Sequence, residues 1–117
     1  MKSNSVDQYI LRQEGEVRIM MEILNDYLCV ELHLSSTLKY GIPFYMYDKK
    51  MVCYLHKCKN DSLDITFWQG KFLVNDFPKL EPRDRKLVAS LNYDNPLAID
   101  FELIHSISSA VIKKHDN

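Results

Sequence analysis

Glycine and proline are scarce, 3 and 4 residues in a chain of 117, which argues against disordered or low-complexity segments, since both are rich in those residues. Cysteine is equally sparse. Cys29, Cys53 and Cys58 are odd in number and none stands in a C-x-x-C spacing, so they cannot all pair within one chain, and reduced thiols fit a cytosolic address. No stretch approaches the roughly 18 apolar residues of a membrane span, and the start MKSNSVDQYI lacks the apolar run of a signal peptide. The expectation is a cytoplasmic protein with no membrane contact. An excess of positive charge is missing too: 15 basic against 16 acidic residues leave a formal charge of −1. Without a concentrated basic surface, nucleic acid is not an expected partner.

What is present fits one globular domain over residues 1–117, with 46% hydrophobic and 26% charged residues, long enough to bury a single core. Ser5 to Gln13 reads as a short helix with Ser5 as N-cap and Gly15 as stop. Glu16 to about Leu32 carries Val17, Met20, Met21, Leu24, Tyr27 and Leu28, the spacing of a helix with one apolar face. After Leu34-Ser35-Ser36 the period changes from 3.6 to 2. Thr37 to Tyr40, Phe44 to Asp48, Met51 to Lys57 and Leu63 to Trp68 predict four short strands, joined through Gly41-Ile42-Pro43, Asp48-Lys49-Lys50 and Lys59-Asn60-Asp61-Ser62. In the last of them Leu63, Ile65 and Phe67 alternate with Asp64 and Thr66, one dry face and one wet. Gly70 to Arg85, broken by Pro78 and Pro82, predicts a loop with one turn of helix, and Lys86 to Leu91 a fifth strand. Asp100 is placed to cap a final helix with Leu103, Ile104, Ile107, Val111 and Ile112 on its apolar stripe. This order predicts an α+β fold: an antiparallel sheet of about five strands with N-terminal helices and a C-terminal helix packed on it.

Lys39, Tyr40, Gly41, Ile42, Pro43, Phe44 and Tyr45, followed by Phe67, Trp68, Gly70 and Lys71, resemble the two motifs of the YdhG-like family of bacterial domains. The resemblance runs over nearly the whole chain. It implies a small intracellular domain, and because some members are described as frataxin-like iron chaperones, it also implies a possible role in holding iron on surface carboxylates. Hard iron ions favour carboxylate oxygens, and Glu22 and Asp26, four residues apart on the outer face of the long helix, are the candidate ligands under that reading.

The main candidate site is aromatic. Lys39, Tyr40, Tyr45, Tyr47 and Trp68 gather around the Gly-Pro bend and the strand end at Gly70, and pockets combine apolar and aromatic walls with a few polar groups. They predict a cleft on the sheet that holds a small molecule or a protein partner. Cys53, His56 and Cys58 suggest a soft-metal set, yet on a strand Cys53 points away from the other two, so no more than two converge, short of a structural zinc site. Ser106, Ser108 and Ser109 lie near His105 in the final helix, where immediate neighbours do not face each other. With no G-x-S-x-G, phosphate loop or H-E-x-x-H, the chain reads as a binding domain, not an enzyme, with no cofactor unless iron. Arg83, Arg85 and Lys86 read as a solvated edge. The sequence sets no oligomeric state.

Overall fold

Helical periodicity gives way to alternation after Leu34, and there the chain passes from helix to sheet. The computed structural model describes residues 5–116; residues 1–4 and 117 of the expected domain lie outside the described residues. Helix α1 (Ser5–Leu11) buries Val6 and Ile10, four apart on one face. Ser5, expected as its N-cap, is itself helical. Helix α2 (Gly15–Asp26) buries Val17, Met20, Met21 and Leu24, the expected stripe. It ends six residues earlier than its periodicity suggests, because Tyr27–Glu31 widens into a π-helical turn. There the Leu32 N–H reaches the Tyr27 carbonyl five residues back, at 3.1 Å.

Strands β1 (Ser35–Lys39), β2 (Ile42–Tyr47), β3 (Lys50–Lys57), β4 (Leu63–Phe67) and β5 (Ala89–Tyr93) form one sheet in chain order, antiparallel throughout. Lys39 pairs with Ile42, so the first bend is the two-residue loop Tyr40-Gly41, with both φ angles positive at 53° and 77°. That is the geometry of a type I′ turn. Pro43 therefore lies inside β2, where pairing with β3 begins only at Phe44, so its missing N–H breaks no ladder on that side. The second hairpin also closes on two residues, Asp48 and Lys49, at φ 48° and 67°. The fifth strand begins three residues later than expected, since Lys86 to Val88 leave the ladder and the Leu87 carbonyl accepts from Lys71 N–H at 3.2 Å instead.

A β-bulge between Tyr45 and Met46 changes the β2–β3 register: Tyr47 opposes Lys50 and Met46 opposes Met51, but Tyr45 opposes Cys53 and Phe44 opposes Tyr54. From there each side chain's face is fixed by the pairing. Tyr45, Cys53 and Phe67 fall on one face with Leu55, Ile65 and Leu91, and α1, α2 and α3 (Phe101–His115) cover that face to close the core. Asp100 caps α3 as expected, accepting from Leu103 N–H at 3.0 Å. No helix among the described residues is long and apolar enough to cross a membrane. Among the described residues no helix covers the opposite face of the sheet, and the connection from Val74 to Val88 runs beside it, held by the Glu81–Ser90 bridge.

Candidate functional site

Two rows of side chains cross the helix-free face. The first runs Phe44, Tyr54, Thr66 and Ser90; the second runs His56, Asp64 and Asn92. The expectation that Asp64 and Thr66 meet water is corrected here, because both are buried, Asp64 to 3% exposure. Side chains from the first hairpin and from the 74–88 connection stand over them. Together they enclose a cleft of about 760 Å³ lined at one end by Tyr40, Ile42, Phe44, Tyr54, Trp68 and Val88, and at the other by His56, Cys58, Lys59, Asp64, Arg83 and Arg85. Its volume lies within the usual range for small-molecule sites.

At the apolar end Phe44 stacks on Tyr54 with ring centroids 4.8 Å apart, and the Tyr40 ring meets Phe44 edge-on at 5.9 Å, both favoured aromatic geometries. Tyr40 is 91% exposed while its backbone sits at positive φ, where a turn ordinarily takes Asn or Gly. A bulky exposed ring in that position is a local departure from turn chemistry, of the kind that gathers at ligand sites. Trp68 follows β4, and its backbone N–H donates to the Val52 carbonyl at 2.9 Å. The chain can turn there because Gly70 approaches β5 closely: a Cβ on Gly70 would lie 3.0 Å from Ala89 N.

The polar end is organised by one ion pair. Arg83 Nη1 and Nη2 donate to Asp64 Oδ2 and Oδ1 at 2.7 and 3.0 Å, and Asn92 Nδ2 adds a third bond to Oδ1 at 2.9 Å. Burial alone would raise the Asp64 carboxyl, but the hydrogen bonds and charge of Arg83 with the bond from Asn92 outweigh it and hold the group below the ordinary carboxylate range. The Asp64 bonds correspondingly hold the Arg83 guanidinium in its charged form. Arg83 also reaches Glu81 at 3.1 Å. Arg85 is fixed by the Pro82 and Glu81 carbonyls at 3.1 and 2.7 Å, and Thr66 and Ser90 hydroxyls bond at 2.8 Å beneath the centre. Of the basic run expected as a solvated edge, Arg83 and Arg85 border the cleft while staying partly open to water, and Lys86 is exposed and does not line it.

Of the residues expected to form the cleft, Tyr40 and Trp68 line it. Tyr45 does not: the register places it on the helix face, fully buried, with its hydroxyl donating to Asn25 Oδ1 at 2.8 Å, and burial pushes its ionisation far up. Tyr47 lies past the bulge at the hairpin end, beside Lys50, Ile112 and His115. Lys39 is exposed on edge strand β1 and does not line the cleft. The aromatic walls come instead from Phe44 and Tyr54. Glu22 and Asp26 border a separate shallow groove with Asp7 between α1 and α2, and Glu22 Oε1 accepts from Arg18 Nε at 2.7 Å.

Comparison of the chain with protein-family models, with curated proteins and with solved structures finds no match. The fold and the site define an α+β domain with a ligand-sized cleft on the uncovered face of its sheet. Within the segments that carry the YdhG-like resemblance, Gly41 and Gly70 serve backbone geometry while Tyr40, Phe44 and Trp68 face the cleft.

Proposed function

We propose that this protein is a small-molecule-binding domain and that its ligand has a flat apolar or aromatic body and an anionic group. The observation that carries the reading is the division of the cleft: aromatic rings at one end, and at the other three cations, Lys59, Arg83 and Arg85, against the single carboxylate of Asp64. Asp64 and Glu81 engage Arg83, which leaves Lys59 and Arg85 for a ligand. Arg85 is already oriented by two backbone carbonyls, so little side-chain entropy is lost when a carboxylate or phosphate arrives. The rings supply stacking area, and Thr66, its hydroxyl held by Ser90 beneath, lies in the cleft floor between the two ends.

Trp68 is the sole tryptophan of the chain and stands in the cleft wall, so its emission reports occupancy without a label. A panel of aromatic carboxylates and nucleotides, each with a neutral analogue, is titrated against that emission. Anionic aromatic compounds are expected to give a saturable change. Tyr40→Ala weakens it by about 2- to 10-fold, the worth of one aromatic contact, and Arg85→Gln by about 10-fold or more, the worth of a charge-assisted bond. Equal response to the neutral analogues, or binding untouched by both substitutions, refutes this assignment.

A further inference from the structure

The pairing of β3 with β4 assembles a donor set that strand spacing alone leaves incomplete. His56 stands opposite Asp64 in the ladder, and Cys58, just past the end of β3, borders the same cleft. One ligand atom from each, a ring nitrogen, the thiol sulfur and a carboxylate oxygen, lies within 4.8 Å of the other two, and among the described residues no other group of three or more His, Cys, Asp or Glu does this. From this juxtaposition we infer that His56, Cys58 and Asp64 form a binding site for a borderline divalent cation, zinc in the first place, with its fourth coordination position open to the cleft.

The chemistry of the donors selects the metal. An imidazole, a thiolate and one carboxylate suit zinc, whereas iron held as a hard ion favours oxygen ligands throughout. Three protein ligands with a free fourth position are the arrangement of exchangeable or catalytic zinc, not of closed structural sites. Zinc bonds of about 2.0 to 2.3 Å place tetrahedral ligands roughly 3.3 to 3.8 Å apart, so the three atoms must draw in by about 1 Å. His56 is exposed and Cys58 half-buried, so side-chain rotation can supply that movement while the strands stay fixed.

Asp64 has the capacity for a further bond. A carboxylate offers about four lone-pair sites; Arg83 and Asn92 occupy three, and the Cys58 thiol, the remaining partner, gives up its proton when it binds a metal. These partners orient the ligand as outer-shell groups do around metals, and Asn92 Nδ2 lies 3.8 Å from Cys58 Sγ as well. Lys59 and Arg83 oppose a dication. Glu81 offsets the Arg83 charge, and metal binding converts the neutral Cys58 thiol to a thiolate: the S–H bond breaks, the S–metal bond forms, and one proton leaves to solvent. This inference goes beyond the organic ligand proposed above, and it is tested with metal alone.

Reduced protein is titrated with cobalt(II) as a coloured substitute and then with zinc. The expected result is one equivalent of cobalt, a thiolate-to-cobalt charge-transfer band, the strong visible bands of four-coordinate cobalt, and loss of both when zinc is added. Cys58→Ser abolishes the charge-transfer band, His56→Ala weakens binding by at least about 100-fold, and Cys29→Ser, in the π-helical turn away from the cleft, leaves both unchanged. Both cleft substitutions are at side chains open to water, and a preserved Tm for each variant without metal establishes that it is folded. A charge-transfer band that survives Cys58→Ser, one that disappears in Cys29→Ser, or no cobalt binding by the folded reduced protein overturns the site.

Discussion

Replacing Arg83 by glutamine removes the two bonds that hold the Asp64 carboxylate and leaves it the one from Asn92 and the weaker contact with the Cys58 thiol. Breaking a fully buried ion pair by removing one partner costs about 3 to 5 kcal/mol. Arg83 is 40% exposed, and water in the cleft can take over part of its role, so about 2 kcal/mol is the expected loss at neutral pH. Unfolding entropy scales with chain length, and for 117 residues this corresponds to about 8 °C in Tm.

The pH dependence separates this cause from a general packing defect. In the native protein the Asp64 carboxyl is held below its unfolded value, so the clamp's contribution is fully present above the ordinary aspartate pKa of about 3.9 and is lost as pH falls through the lowered folded value. In the variant, burial acts without the Arg83 charge and favours the protonated form. The wild type therefore loses stability on acidification faster than Arg83→Gln does. Tm by circular dichroism at pH 7, 5, 4 and 3 is expected to show a gap of about 8 °C that narrows below about pH 4. A gap under about 2 °C at pH 7, or one that stays constant to pH 3, refutes the account of Asp64 as the charge on which the polar end is built.

Lys49→Gly relieves a lysine held at φ 67° in the second hairpin and creates the Asp-Gly pair that a type I′ turn favours; about 1 kcal/mol of stabilisation, or about 4 °C in Tm, is expected, and a lower Tm would show the turn to be wrongly described. Glu22→Lys combined with Asp26→Lys reverses two exposed charges on α2 and breaks the exposed Arg18–Glu22 pair; it is expected to lower Tm by no more than about 4 °C and to leave the Trp68 ligand response unchanged. If instead it abolished iron binding in a folded protein, the carboxylate-based iron role implied by the YdhG-like resemblance would displace the cleft reading.

The elements were legible because their signals are local. Val17, Met20, Met21 and Leu24 state a helix face, Asp100 states its own cap, and the strands follow from alternation, so the α+β order and the meander could be read from the chain. The composition of the cleft was not local, and the reason is one extra residue in β3. Counting back symmetrically from the Asp48-Lys49 turn opposes Tyr45 to Val52 and Phe44 to Cys53; the bulge moves these to Cys53 and Tyr54, and a shift of one residue exchanges faces. Tyr45 thereby enters the core while Phe44 and Tyr54 become the wall. Arg83 escaped for a second reason. It lies 19 residues from Asp64, beyond any helix or hairpin spacing, on a connection whose course is set by the Glu81–Ser90 bridge. One signal did point to it: a carboxylate at Asp64 in the middle of a strand whose neighbours are all apolar or hydroxyl-bearing needs a partner if it is covered, and the only short run of arginines in the chain lies at Arg83 and Arg85. The same logic finds the third metal donor, since a charge on the inner row of a sheet is shared by every strand that pairs across it. His56 and Cys58 are two-thirds of a site in sequence, and the β3–β4 ladder brings Asp64 to them.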